Sequence, residues 1–173
     1  MILGSPSVWL LAIFPAGVIV AALKDAVSFT ISNWTSGLLA LAFLPVALVV
    51  HLSLGTIGLS ALIGVGALIL GMGMFALGWC GGGDVKLMAA AVLWLGLPGL
   101  APFLLVTGLA GGFLALGLIT ARSSISAGLV ASGPAWLGRL LAPGGDLPYG
   151  LAIAVGALVA FPSSVVVAAV TGR

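Results

Sequence analysis

Two aspartates are prominent in a chain that has almost no charged side chains. Its 173 residues include only three acidic and five basic residues. Asp84 follows three consecutive glycines, Gly81, Gly82 and Gly83, and Asp25 follows the first apolar run. Two carboxyl groups held close together in a low-dielectric site cannot both ionise easily, so their pKa values move apart. The charged member of such a pair could activate a water, while the protonated member donates a hydrogen bond to a peptide carbonyl.

Asp84 also has a purely structural interpretation. An aspartate before an apolar run is a good N-cap, because its carboxylate accepts hydrogen bonds from free amides of the first turn. The glycines would then simply permit a sharp turn. In the catalytic interpretation, their missing side chains let an extended peptide approach Asp84 closely. The residues alone leave both interpretations open, and composition does not decide between a protease and a proton-coupled transporter.

The composition predicts what kind of scaffold must position these acids. Hydrophobic residues make up 62% of the chain and charged residues 5%, whereas soluble domains carry roughly 25% charged residues. The apolar runs are continuous, unlike the alternating strands of a membrane barrel. We therefore predict an all-α, polytopic membrane helix bundle that forms a single membrane-embedded domain over residues 1–173. About six spans of sufficient length are expected, at roughly 8–23, 36–54, 56–77, 85–97, 101–120 and 147–170.

Charge placement predicts the orientation of the bundle. In the six-span arrangement four of the five basic residues fall on one side of the membrane: Lys24, Lys86, Arg122 and Arg139. The positive-inside rule makes this side the cytoplasm and places the N-terminus outside. Two spans separate Asp25 from Asp84, so both return to the cytoplasmic face, and Asp146 is expected there too. Gly108 and Gly112 form a GxxxG pair, a pattern typical of close helix packing in membranes.

The residues around Asp84 resemble a known family. GGGDVKLMAA, at 81–90, is similar to the GxGD motif of the type IV prepilin peptidases, which are membrane aspartic proteases. In this family a hydrophobic residue, Lys and Leu usually follow the motif, as Val85, Lys86 and Leu87 do here. GxGD also occurs in presenilin-like proteases, but their accompanying Tyr-Asp and Pro-Ala-Leu segments are not found in this sequence.

Two further segments carry the resemblance. DAVSFTISN, at 25–33, matches the family pattern D-L-R-x-x-x-I-P-N at Asp25, Ile31 and Asn33. It departs from the pattern at Ala26, Val27 and Ser32. LPYGLAIAVG, at 147–156, resembles the Pro-Tyr-Gly segment that opens the last helix of these enzymes. The three segments occur in the expected order, and the small size resembles the Flp or tight-adherence branch.

The resemblance implies an aspartic endopeptidase that cleaves prepilin leaders, with Asp25 and Asp84 as its catalytic residues. The glycines of GGGD, together with Lys86, Asn33 and Tyr149, would bind substrate or shape the site. Lys86 could also bias the Asp84 carboxylate toward ionisation or contact a lipid head group, although anchoring of the helix at the interface is the favoured interpretation. Asn33 could equally cap the second helix. The expected location is the inner, cytoplasmic membrane, with the active site facing the cytoplasm.

The remaining expectations concern partners and alternatives. The partners are a prepilin-like substrate and membrane lipid; a scattered net charge of +2 argues against nucleic acid. No cofactor and no metal are expected, because the single cysteine, Cys80, excludes a multi-cysteine zinc site. The main alternative is a small transporter subunit that uses the acids as a proton or cation relay, and a third is a non-catalytic assembly protein. The sequence does not set the oligomeric state.

Overall fold

The computed structural model describes residues 9–124, 135–142, 145 and 147–172. Every regular element in these ranges is helical, which confirms the predicted all-α class. The helices are α1 (Ile13–Ser28), α2 (Asn33–Val49), α3 (Leu54–Ala76), α4 (Gly82–Ser124), α5 (Ala135–Leu141), α6 (Tyr149–Ala160) and α7 (Val165–Thr171). A 3₁₀ turn at Phe161–Ser163 joins the last two. The predicted positions of Asp146 and Arg173 lie outside the described residues.

Three helical stretches of the described chain are long and apolar enough to cross a membrane: Leu54–Ala76, Gly82–Ser123 and Tyr149–Thr171. Asn33–Val49 is a shorter apolar helix. Large apolar side chains such as Leu41, Leu70 and Phe113 face outward, where lipid would solvate them at no cost. The protein is therefore a membrane helix bundle.

Helix α4 contains a sharp break at Gly96. The backbone there has φ 64° and ψ −168°, a conformation that is essentially restricted to glycine. A side chain would also collide, because a Cβ at this position would lie 2.5 Å from Cγ1 of Val165. Pro98 follows two residues later, where its fixed φ suits the first turn of a new helical segment.

The contacts of α4 show that the chain reverses direction at this break. Asp84, before the break, lies near the beginning of α6, while Gly96 lies against Val165 after its end. Beyond the break, Gly99 approaches Ala160 and Gly111 packs against the ring of Tyr149. The second half of α4 thus returns to the end of the bundle where it began. The sequence predicted two segments here, with a boundary at about 97–101.

An aromatic cluster around Trp94 fixes the helices against one another. Trp94 is fully buried, and its ring centroid lies 5.5 Å from that of Phe14 and 5.9 Å from that of Phe43. Its Nε1 donates a hydrogen bond of 2.8 Å to the carbonyl oxygen of Leu39. Phe161 stacks on Phe14 at 4.9 Å. Because buried indole nitrogens need a partner, this bond sets the depth of α4 relative to α2.

Small residues allow α6 to pack closely against α4. Gly150, Ala152, Gly156 and Ala157 are all buried on α6, and Gly156 lies directly against Thr107 of α4. The GxxxG pair of Gly108 and Gly112 makes no close helix contact within the described part of the chain, since a Cβ at either position would meet no atom within 4 Å. Gly111, between them, makes the close approach instead.

Candidate active site

Asp25 lies in the last turn of α1 and is 5% exposed. Its Oδ2 accepts a hydrogen bond of 2.8 Å from the backbone amide of Gly150. The end of α1 is an unfavourable place for a carboxylate, because the helix dipole is negative there. Gly150 compensates for this, since it belongs to the first turn of α6, where free amides and the positive end of the dipole attract a negative group.

Gly150 has to be a glycine for this contact to form. A Cβ at position 150 would lie 2.8 Å from Oδ2 of Asp25 and 2.9 Å from its Cβ. Contacts of this length require one of the two backbones to move. The beginning of α6 and the end of α1 therefore approach closely because residue 150 has no side chain.

Asp84 occupies the first turn of α4 and is partly buried. The amide of Val85 donates a hydrogen bond of 3.2 Å to the carbonyl of Gly81, which makes Gly81 the N-cap and Asp84 the third helical residue. The carboxylate of Asp84 turns back toward the backbone of Gly81, which favours its charged form, as expected for an acidic residue at this position of a capping box. The interpretation of Asp84 as the N-cap residue itself is therefore wrong.

The three glycines before Asp84 serve close packing rather than an unusual backbone conformation. The left-handed residue of this turn is Gly78, at φ 74°, and none of Gly81, Gly82 and Gly83 has a positive φ. A Cβ at Gly81 would lie 2.8 Å from Oδ2 of Asp84, and one at Gly83 would lie 3.0 Å from Cβ of Ile31. The side chain of Phe75 approaches position 82 at 3.5 Å.

These contacts bring the two aspartates to one site. The turn between α1 and α2, which carries Ile31, packs directly against Gly83 and so holds the end of α1 beside the start of α4. The charge of Asp25 acts on the carboxyl group of Asp84. Each carboxylate also lies against the start of a helix, since Asp25 accepts a hydrogen bond from the Gly150 amide and Oδ2 of Asp84 lies close to Gly81.

Asn33 and Lys86 meet beside this site. The Nζ of Lys86 donates a hydrogen bond of 2.8 Å to Oδ1 of Asn33, which joins the start of α2 to the start of α4. The alternative role of Asn33 as a cap is wrong, because Ser32 is the N-cap of α2 and its side chain accepts from the Trp34 amide at 3.3 Å.

Tyr149 lies next to the site in the chain, but its ring packs against Gly111 of α4. The residue of this segment that contacts Asp25 is its neighbour, Gly150. The sequence did indicate that Gly150 could bind an anion, because a helix begins after Pro148 and the backbone amides of its first turn have no partner within the helix. Nothing in the sequence indicated that Asp25 would be the partner, because 125 residues separate the two.

The single cysteine also borders the site, in the turn before α4. Burial, and next the negative charge of Asp84, raise the pKa of the Cys80 thiol above its ordinary value. A raised pKa keeps the thiol protonated at neutral pH and therefore weakly nucleophilic. Among the described residues, no group of three or more His, Cys, Asp or Glu side chains is placed to hold a metal ion.

Comparison with known proteins adds one finding. The model of the type IV leader peptidase family matches residues 12–116, which is more than half of the chain and includes both aspartates. No curated protein and no solved structure matches the chain significantly.

Proposed function

Since the chain belongs to the type IV leader peptidase family, we propose that it is an aspartic endopeptidase that removes the leader from prepilins at the cytoplasmic face of the membrane. Membership of the family makes it a membrane protease. The aspartic mechanism and the catalytic role of Asp25 and Asp84 are the specific content of the proposal. The placement of both carboxyl groups at one end of the bundle, within range of each other's charge, is the observation that carries it.

The arrangement of the pair suits the activation of a water. The Gly150 amide binds Oδ2 of Asp25, and Oδ1 makes no hydrogen bond to another of the described residues. Asp84 lies against Gly81 and senses the charge of Asp25. Two interacting carboxyl groups titrate as a unit, so one can accept a proton while the other donates one.

The reaction follows from this division of roles. The charged carboxylate takes a proton from a water as the water oxygen bonds to the scissile carbonyl carbon, and the protonated carboxyl donates a hydrogen bond to the carbonyl oxygen. The tetrahedral intermediate then collapses, the C–N bond breaks, and the leaving amine receives a proton from the carboxyl pair. The products are a leader with a new carboxylate and a mature chain with a new amino terminus.

The basic residues support the cytoplasmic orientation. Lys24 precedes Asp25, and Lys86 follows Asp84 by two positions. Arg139 of α5 reaches the same end, because its Nη2 donates a hydrogen bond of 2.9 Å to the Val27 carbonyl. Under the positive-inside rule this end faces the cytoplasm, so the enzyme would lie in the cytoplasmic membrane as a multi-pass protein. The small size suits the Flp or tight-adherence branch.

The substrate proposed from the family is a prepilin with a short basic leader before a hydrophobic helix. The positive leader would be attracted to the acidic site, while its hydrophobic helix stays in the bilayer. Neither a proton relay nor a purely structural role in assembly has support from the family match, since the matched family is one of peptidases.

A cleavage assay in membranes tests this function. The wild type should convert a co-expressed prepilin to its mature form, and mass spectrometry should place the cut at the junction of leader and hydrophobic segment. Asp84→Asn should abolish the conversion. Asp146→Asn is the matched control, because the same chemical change at an aspartate predicted to lie in a loop should leave cleavage intact. An Asp84→Asn variant that cleaves at the wild-type rate would refute the mechanism.

A further inference from the structure

A groove opens between α2, α3 and α4 on the membrane side of the aspartate pair. It has a volume of about 370 Å³. Small residues form most of its wall: Gly37, Ala40, Ala61, Gly64, Ala89 and Ala90. Asn33 and Lys86 lie at one end, and Leu93 lines the groove farther along α4. Walls of small residues allow another polypeptide to approach membrane helices closely.

The groove begins at the end of the bundle that carries the proposed catalytic site. Its polar end is formed by Asn33 and Lys86, close to the contact between Ile31 and Gly83 that holds the end of α1 beside the start of α4. The seven helical steps from Lys86 to Leu93 rise by about 10 Å along the helix axis, so the groove leads from this end toward the middle of the apolar part of α4.

One buried hydroxyl in the groove has no partner. Ser36 lines the groove and is 4% exposed, yet its Oγ has no hydrogen-bond partner among the described residues. An unsatisfied buried hydroxyl is costly, so such an atom is expected to meet a partner in the functional complex. Lys86 and Asn33 add polar groups at the mouth, and no acidic side chain of the described chain forms an ion pair with Lys86.

We infer that this groove binds the substrate segment that follows the scissile bond, with its first residues extended beside Ser36 and its hydrophobic helix continuing along the small-residue wall. This inference rests on the proposed peptidase function and assigns its substrate subsite. A protease must act on an extended peptide, and within the bilayer the free N–H and C=O groups of extended residues need hydrogen-bond partners. The polar side chains of Ser36, Asn33 and Lys86 would supply hydrogen-bond partners for these groups.

The unpartnered hydroxyl favours a peptide over a lipid chain as the occupant. An acyl chain has no group that could bond to Ser36 and would leave the hydroxyl unsatisfied. Extended peptide residues carry both donors and acceptors. The position of the groove agrees with this choice, because it begins at the same end of the bundle as the proposed catalytic pair.

The test fills the groove without disturbing the fold. A Cβ at Gly37 would meet no atom within 4 Å, so Gly37→Leu places its side chain in the open groove. Gly108→Leu is the matched control, because Gly108 is equally open and lies outside the groove. Equal thermal stability of the two variants shows that both fold. Ser36→Ala removes only the hydroxyl.

For a full-length prepilin, Gly37→Leu should raise KM by about tenfold, in line with the cost of overpacking an apolar site. Ser36→Ala should raise KM by about three- to tenfold, the value of one hydrogen bond. The kcat of both variants should change little, and Gly108→Leu should match the wild type. A soluble peptide that ends just after the scissile bond does not reach the wall at Gly37, so Gly37→Leu should raise its KM much less than it raises the KM for the prepilin.

An unchanged KM for Gly37→Leu overturns the groove assignment, even if lipid is found in the groove. Equal losses on the prepilin and on the short peptide also overturn it, because the damage would then lie at the aspartate pair. Failure of the wild type to cleave any prepilin removes the proposed function and this inference with it. The two failures are therefore distinguishable by the wild-type control.

Discussion

At the scale of single residues, the site depends on two glycines that lie against two carboxylates. The Gly150 amide donates a hydrogen bond to Asp25, and Gly81 lies close to Oδ2 of Asp84. In both places a Cβ would lie 2.8 Å from a carboxylate oxygen. Both glycines belong to helix starts, so each carboxylate also lies at the positive end of a helix dipole. Both carboxylates are therefore positioned mainly by contacts with backbone rather than with other side chains.

Gly150→Ala should therefore impair catalysis more than stability. The added methyl group must push the end of α1 away from α6 and displace Asp25, and a displacement of about 1 Å can lower an enzymatic rate by about 100-fold. We expect a loss of this order in the membrane cleavage assay, with helix content retained by circular dichroism. Gly108→Ala adds the same methyl group in open space and should retain full activity. A fully active Gly150→Ala would show that the Asp25 contact does not position the site.

At the scale of elements, the reversal of α4 at Gly96 determines which surfaces meet. The half before the break carries Asp84, and the half after it packs along α6. Two antiparallel helical segments therefore lie within α4, and the first of them is short, which is why the fourth predicted span was so short. Gly96 permits this reversal of the chain because its backbone conformation is essentially restricted to glycine.

Two glycine substitutions should have effects of opposite sign on stability. Gly96→Ala should lower the free energy of unfolding by about 1–3 kcal/mol or more, because φ is positive and Val165 blocks the new methyl group. Gly66→Ala, in the middle of α3 with no neighbour within 4 Å, should raise it by about 0.5–1 kcal/mol. Thermal unfolding in detergent measures both. A Gly96→Ala variant as stable as Gly66→Ala would contradict the break.

The sequence predicted the elements better than their contacts. Continuous apolar runs were sufficient to predict a helix bundle, and counting spans placed Asp25 and Asp84 on one face. The partner of Asp25 was not predictable, because it depends on how α6 docks against α1. The role of Asp84 as the third residue of its helix depended on where α4 begins, and a run of three glycines does not define this position. The sequence did not indicate a role for Ser36, because the hydroxyl of an isolated serine in an apolar run usually finds a hydrogen-bond partner within its own helix.

At the scale of the whole molecule, the basic residues cluster at the end that carries the aspartates. Arg139 extends this cluster to α5, where its guanidinium lies 5.3 Å from the ring centroid of Phe29. The clustering predicts that the site opens to the cytoplasm. A site on the cytoplasmic side would be within reach of a soluble leader while the hydrophobic part of the proposed substrate remains in the membrane.

The single cysteine offers a direct test of this orientation. Cys80 is adjacent to the GGGD segment and partly exposed, so a membrane-impermeant maleimide should label it in inside-out vesicles and not in intact cells. The reaction needs alkaline buffer, because the raised pKa of this thiol shifts formation of the reactive thiolate to higher pH. Cys80→Ser provides the unlabelled control. Labelling from the outside only would place the site on the opposite face.

The central claim is that Asp25 and Asp84 act as one catalytic unit, and a double-mutant cycle on leader cleavage tests it most directly. Asp25→Asn and Asp84→Asn should each lower the rate by about 1,000-fold or more, and the double variant should be no slower than either single one, because residues that act as a unit are not additive. Losses that multiply in the double variant, or a single variant that cleaves at the wild-type rate, would contradict the claim.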